Sequence, residues 1–156
     1  MCQVILTVVG TVISGVIVFV FCQLIVQKYI KPYEDYKLLK GKVAFALVMY
    51  ANLYSNPIKV TDERYMEIHR NERSQAQSDT RRLAAEVSAF QERSARYAPG
   101  IPSKQNFCEA SSGLIQLSNS YFLTPGSDEY TQGKRNRECA DKIRTALSIQ
   151  TDPRRL

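Results

Sequence analysis

The residues able to do chemistry are few and lie far apart in the sequence. The chain has one histidine, His69, and four cysteines, with no CxxC pair and no Cys/His spacing typical of a metal site. It also lacks GxSxG, HExxH, P-loop and dinucleotide-binding glycine motifs. We therefore expect a protein that is not an enzyme and that uses no metal, cofactor or small-molecule substrate.

Acidic residues and cysteines do not change that expectation. Three pairs of acids are adjacent in sequence, so on helices their side chains diverge by about 100° and cannot meet at one substrate atom. The pairs are Glu34 with Asp35, Asp62 with Glu63, and Asp128 with Glu129. Cys108 and Cys139 are predicted to be buried small hydrophobes in a reducing cytosol. Cys2 could join an intermolecular disulfide if it faces an oxidising compartment, and Cys22 has no nearby partner.

The most informative segment is "VILTVVGTVISGVIVFVFCQLIV", Val4 to Val26, which contains no charged residue. As a helix it would be about 34 Å long, slightly more than the ~30 Å hydrocarbon core of a bilayer. A cleaved signal peptide would need a basic start, a shorter apolar run and a small-residue cleavage site, none of which is seen. The segment is thus predicted to be an uncleaved single-pass anchor, within residues 1–27.

Charge beside the anchor predicts its orientation. No Lys or Arg precedes the apolar segment, whereas five lysines crowd its other end: Lys28, Lys31, Lys37, Lys40 and Lys42. The positive-inside rule then places the N-terminus in the periplasm and the rest of the chain in the bacterial cytoplasm. Residues 28–42 are interpreted as a basic juxtamembrane segment that contacts anionic lipid. This explains much of the +6 net charge, and no motif supports nucleic-acid binding.

Small and polar residues in the anchor suggest helix association. Gly10 with Ser14, and Thr11 with Gly15, form two small-xxx-small pairs, which would let two helix backbones approach closely in a membrane. Gln23 is open to two interpretations, a hydrogen bond between helices or, slightly preferred, a side chain that reaches the nearby headgroups. A homo-oligomer in the bilayer is therefore a candidate assembly.

The cytosolic part is predicted to be all-α. Pro32 should break or kink the chain as it leaves the membrane, and the apolar run from Val43 to Ala51 should form a central core helix that ends at "SNP". A re-entrant or membrane-surface helix is its alternative. The next helix is predicted to run from Thr61 or Asp62 to about Arg96. Its inward-facing, heptad-like stripe is Ala76, Thr80, Leu83, Val87, Phe90, Ser94 and Tyr97. The polar stretch 74–79 should interrupt that helix.

Two further helices complete the expected fold. The first begins after a cap at Ser103, and its inward residues are Phe107, Ala110 or Ser111, Leu114 and Leu117. The second covers about 128–148, and one of its faces carries Asn136, Ala140, Ile143 and Leu147. In the first, the small residues at 111–113 either permit close helix packing or mark a weak helix centre. The fold class is thus one N-terminal transmembrane helix followed by a small cytosolic helical bundle, residues 43–150, and a flexible tail, 151–156.

Several blocks of sequence carry a family resemblance. The blocks "IKPYEDYKLLKGKVAFALVMYANLYSNP", "RRLAAEVSAF", "GLIQLSNSYF" and "NRECADKIRTAL" resemble small bacterial proteins with one N-terminal transmembrane helix. Some members resemble the membrane effector encoded beside a retron reverse transcriptase and its noncoding RNA in anti-phage defence. The resemblance implies an abortive-infection effector that acts at the inner membrane together with that complex. The alternative is a non-toxic membrane adaptor that docks a cytosolic protein or ribonucleoprotein.

Overall fold

Helices make up nearly all of the chain, as the sequence predicts. The computed structural model describes residues 2–58, 63–93, 100–123 and 126–150, and within these ranges it contains no strand, only one isolated parallel bridge between Ile58 and Phe122. The helices are α1 (Cys2–Ile25), α2 (Lys31–Met49), α3 (Ala51–Ser55), α4 (Glu63–Arg93), α5 (Lys104–Asn119) and α6 (Glu129–Ala146), with a π-helical segment, Val26–Ile30, between α1 and α2. The expected tail, residues 151–156, and the start of the third predicted helix lie outside the described residues.

The first two helices form one continuous rod, Cys2–Met49, about 70 Å long. Of the break or kink predicted at Pro32, the break is not observed: Pro32 lies in the first turn of α2, directly after the π-helical segment. There the amide of Lys31 donates to the carbonyl of Val26, five residues back. Proline lacks an amide hydrogen and its ring crowds the preceding turn, and the wider π turn gives the helix room to continue.

The bundle core is built from one face of each helix from α2 to α6. Helix α4 packs mainly on α5, α5 packs on α6, and α2 lies against α4, while α3 contacts α6. The largest fully buried side chains include Tyr121, Phe107, Leu114, Leu117 and Ile143. Tyr36, Phe90 and Phe107 form an aromatic cluster with ring centroids 5.3 to 6.2 Å apart. Because Tyr36 and Leu39 are buried in it, this core includes residues from the segment interpreted as juxtamembrane.

The prediction that the Val43–Ala51 run forms a central core helix is confirmed for one face of that helix and wrong for the other. The run is split between α2 and α3, and only one face of α2 is buried, through residues such as Leu39, Val43 and Leu47. Its opposite face is apolar and open: Leu38, Phe45, Val48 and Met49 are 65%, 68%, 60% and 62% exposed. Among the described residues, helices pack on only one side of α2, so its opposite apolar face is left without a partner there.

The predicted interruption of α4 at 74–79 is also wrong, since the helix runs unbroken from Glu63 to Arg93. Its polar sequence includes one buried charged side chain whose hydrogen bonds hold the helix against the bundle. Arg73 is 4% exposed and donates to the carbonyls of Leu53, Asn56 and Tyr121 at 3.0, 2.9 and 2.7 Å. Tertiary hydrogen bonds of this kind are long-range and outweigh local helix propensity.

The predicted core stripes and helix starts are largely confirmed. Ser103 caps α5 by accepting from the amide of Asn106 at 3.2 Å, and Asp128 caps α6 by accepting from that of Thr131 at 2.8 Å. The confirmed buried residues are Ala76, Thr80, Leu83, Val87 and Phe90 of α4, Phe107, Ala110, Ser111, Leu114 and Leu117 of α5, and Asn136, Ala140, Ile143 and Leu147 at α6. Ser94 and Tyr97 lie outside the described residues.

Close helix packing explains the glycines of α5 and α6. A methyl group on Gly113 would lie 2.7 Å from Cγ1 of Ile143, and one on Gly133 would collide with the carbonyl oxygen of Ser55. Neighbouring Ser111 is buried and bonded to Ser88 at 2.7 Å. The small residues at 111–113 therefore allow α5 to pack closely on its neighbouring helices. They do not mark a weak centre of the helix.

Candidate membrane and self-association site

The apolar surface of the rod is the most unusual feature of the molecule. Among the described residues, one helical stretch, Thr7–Met49, is long and apolar enough to cross a membrane. Its most apolar window has a mean hydropathy of 2.5, and none of that window is buried against the rest of the chain. A core helix of a soluble domain would bury most of this surface, so the structure excludes that interpretation of α1.

The four residues predicted to mediate helix association lie on neighbouring turns of α1. Gly10 and Ser14 are one turn apart, as are Thr11 and Gly15, so each pair shares a face of the helix. All four are exposed, and a methyl group added to either glycine would meet nothing within 4 Å. The two glycines therefore leave a smooth surface on which another helix can approach closely.

The hydroxyl groups of this stripe are bonded within α1 itself. Thr7, Thr11 and Ser14 each donate to a backbone carbonyl three or four residues earlier, at 2.9 Å. This removes the cost of placing hydroxyl groups in lipid, because each donor is satisfied without a partner helix. Gln23 is exposed near the end of α1, and both interpretations of its role stay open.

The five lysines predicted to contact lipid fall into two groups. Lys40 donates to the carbonyl of Ser148, and Lys42 pairs with Glu86 at 2.8 Å, so both are bound to the bundle. Along the helix they lie roughly 20 Å or more beyond Val26, farther than one Debye length at physiological salt, about 8 Å. Lys28, Lys31 and Lys37 are exposed. For these three, lipid contact stays a prediction.

The open apolar face of α2 was not predicted from the sequence. We call Leu38, Gly41, Phe45, Val48 and Met49 the outer stripe. Leu38 and Phe45 are seven residues apart, as are Gly41 and Val48, and this heptad spacing was a signal that could have revealed it. The signal was hidden because the other face of α2 is equally apolar, which made the helix resemble one buried on all sides.

The buried polar groups of the bundle are structural. Burial raises the pKa of Tyr36 and of Tyr121 to about 12, and burial together with a hydrogen bond to Asp79 raises that of Tyr50 to about 12. These phenols stay protonated at neutral pH, where Tyr36 donates to the carbonyl of Leu147 and Tyr50 to Asp79 at 2.7 Å. As hydrogen-bond donors these phenols help to fix the packing of the bundle.

The cysteines and acids are also placed apart. Cys139 is buried as predicted, and burial raises the pKa of its thiol; Cys108 is exposed, so its predicted burial is wrong. Cys22 is exposed on α1, and Asp128 is used as a helix cap. Within the described ranges no three His, Cys, Asp or Glu residues are grouped so as to hold a metal. The side chains of Cys2 and His69 lie outside what is described.

Comparison with known protein families, curated proteins and solved structures gave no match. The surface of the rod and the fold of the bundle are therefore the basis of the functional proposal.

Proposed function

We propose that this protein is a membrane-inserted effector of the bacterial inner membrane, whose anchors assemble and disturb the bilayer. The observation that carries this proposal is the rod: an apolar helix long enough to cross the bilayer, with Gly10 and Gly15 facing open space. A bilayer would cover the apolar surface, and a second anchor would cover the glycines. The anchor is then both the attachment and the active part.

The proposed orientation has the N-terminus in the periplasm and the bundle in the cytoplasm. Lys28 and Lys31 come directly after the apolar segment, whereas no Lys or Arg precedes it. Basic residues close to a membrane-spanning helix are retained on the cytoplasmic side. Lys28 lies 5.7 Å from the ring centroid of Tyr29, and this pairing of an ammonium with an aromatic ring suits the headgroup region.

The biological setting that we propose follows the resemblance to retron-associated membrane effectors. In that setting the protein is held inactive in an uninfected cell by a reverse transcriptase and its noncoding RNA, and it is released when a phage attacks. The bundle offers a folded cytoplasmic surface for such a partner. Its release would allow anchors to meet in the membrane, so that damage to the infected cell stops the phage.

The first test is toxicity after induced expression of the full chain in bacteria. Gly10→Ile with Ser14→Ile places two bulky side chains on the association stripe, and we expect membrane insertion to persist while toxicity falls at least about tenfold. Val9→Ile with Val16→Ile adds bulk to the opposite side of α1 and serves as the matched control. Undiminished toxicity of the first variant, with insertion verified by membrane fractionation, would refute the small-residue interface.

A second candidate function is a non-toxic membrane adaptor that docks a cytosolic protein or ribonucleoprotein. The hydroxyl bonds within α1 favour it, because Thr7, Thr11 and Ser14 then offer no free donors to line a water-filled pore. An adaptor needs only attachment, so an unrelated single-pass anchor should replace residues 4–26 with full function. An effector that acts through its own anchor should lose activity in the same exchange.

A further inference from the structure

The outer stripe of α2 is an apolar surface that the bundle leaves open. It lies opposite the face of α2 that packs on the core, and Leu38, Phe45, Val48 and Met49 each expose 60% or more of their area. Together they present on the order of 400 Å² of apolar surface, comparable to the largest patch of a typical soluble monomer, which is often functional. A surface of this size on one helix indicates a docking site.

Gly41, at the middle of the outer stripe, has no packing neighbour on its Cα hydrogen side among the described residues. A methyl group there would meet nothing within 4 Å, unlike those on Gly113 and Gly133 of the bundle. A glycine inside a helix costs about 1 kcal/mol relative to alanine. No packing contact in the monomer offsets that cost, whereas a helix crossing at Gly41 would use the space that a side chain would fill.

Lipid is a poor occupant for this surface. Along the rod, Phe45 lies roughly 28 Å beyond Val26, whereas the headgroup region on each side of a bilayer is only about 5–8 Å thick. The helix is continuous between these residues. The outer stripe therefore lies in water when Val26 is at the membrane surface.

We propose that the outer stripe docks on the outer stripe of a second, parallel copy of this chain. This inference rests on the proposed insertion of α1, because insertion fixes all copies in one direction and places equivalent residues at equal height. A two-fold contact then brings Leu38, Gly41, Phe45 and Val48 onto their own counterparts, as an isologous interface requires. The heptad spacing is that of two parallel helices in a coiled coil.

Charges beside the outer stripe are compatible with a second copy. Lys42 pairs with Glu86 of its own chain at 2.8 Å, and Lys37 lies 4.7 Å from the ring centroid of Tyr33. The Lys42–Glu86 pair therefore adds no net charge where two copies approach, whereas Lys37 keeps its charge, because contact with an aromatic ring does not neutralise an ammonium. The apolar area per copy is smaller than the ~800 Å² that each partner buries in a standard interface, so the contact needs the anchors to hold the copies together.

The experiment is disulfide cross-linking of the full chain in vesicles of bacterial phospholipid. Val48→Cys is introduced into a chain with Cys2→Ser, Cys22→Ser and Cys108→Ser, and Ile115→Cys in the same background is the matched control, since Ile115 is 48% exposed on α5. We expect mild oxidation to give a covalent dimer at least about tenfold more with Val48→Cys than with Ile115→Cys. Equal yields would overturn the proposal.

A second variant separates this interface from the anchor interface. Phe45→Glu places a charge on an exposed residue, so folding should persist, and we expect it to lower the Val48→Cys dimer at least about tenfold, whereas Ile115→Glu should leave it unchanged. If Phe45→Glu has no effect but Gly10→Ile with Ser14→Ile does, the outer stripe is not the interface and the anchor proposal stands. If Phe45→Glu lowers the dimer yield but Gly10→Ile with Ser14→Ile does not, the outer stripe is the interface and the small-residue anchor interface is refuted.

Discussion

The glycines of the bundle and those of the rod occupy opposite environments. Gly113 and Gly133 lie where helices α5, α6 and the end of α3 pass so close that a methyl group would collide with a neighbour. Gly10, Gly15 and Gly41 face open space on a helix that a larger residue would stabilise. The two bundle glycines are thus explained by contacts within the described residues, whereas the rod glycines lie on a surface that a second molecule or a bilayer would cover.

The largest effect on the bundle should come from Arg73→Met. It leaves the buried carbonyls of Leu53, Asn56 and Tyr121 without their donor, and we expect the free energy of unfolding to fall by about 3 kcal/mol or more. Denaturant unfolding of the full chain in detergent micelles, followed by circular dichroism, would measure it. Arg70→Met, at an exposed position of the same helix, is the control; equal losses would show that burial of Arg73 does not stabilise the bundle.

Gly133→Ala should destabilise the bundle by about 2 kcal/mol, because the new methyl group collides with the carbonyl of Ser55 at the contact between α3 and α6. The same unfolding measurement applies. Alanine normally stabilises a helix relative to glycine. If Gly133→Ala also raised the stability, α3 could move away without cost, and Gly133 would differ less from the glycines of the rod.

Alkaline pH should unfold the bundle between about pH 10 and 12. In the unfolded chain a tyrosine loses its proton near pH 10, whereas Tyr36 and Tyr121 hold theirs to about 12, so the stability that they contribute is complete below pH 10 and falls as the pH rises. Tyr121→Phe should make the decline shallower by up to about 1.4 kcal/mol per pH unit. Tyr130→Phe, at a residue 76% exposed, is the control. Identical slopes for the two variants would contradict the burial effect.

The smallest expected effect is an increase in helix stability. In micelles dilute enough to hold single chains, Gly41→Ala should raise helix stability by up to about 1 kcal/mol, because the added methyl group meets no neighbour. In vesicles at high density the same change should weaken association. A destabilised monomer would show that Gly41 serves its own chain, which would remove one support for docking at the outer stripe.

Local signals predicted much of this fold. The apolar segment, the cap at Ser103, the start of α6 near residue 128, and the core stripes of α4, α5 and α6 each depend on residues close in sequence, and all are observed. The errors came from distant contacts. The polar stretch around Arg73 is helical in the structure, where the guanidinium of Arg73 donates to carbonyls of α3, of the loop after α3, and of Tyr121, the second residue after α5. The sequence of α4 alone does not indicate these partners.

The candidate site was predicted only in part. Gly10 with Ser14, and Thr11 with Gly15, each share a face of α1 as the spacing requires, and the two faces are about 100° apart. The five lysines do not form one group. Lys40 and Lys42 are bound by Ser148 and Glu86, residues that are far away in sequence. The outer stripe was missed for a related reason, since which face of an all-apolar helix stays open depends on the number of helices that pack around it.

The most direct test of the central claim, that the rod acts on the membrane through its own surface, is the membrane potential of bacteria that express the full chain. A voltage-sensitive dye would compare it with a chain whose segment 4–26 is replaced by an unrelated anchor, both alone and during phage attack. We predict rapid depolarisation with the native anchor only. Depolarisation with neither chain, or with both, would contradict an effector that works through α1, and the former result would favour the adaptor.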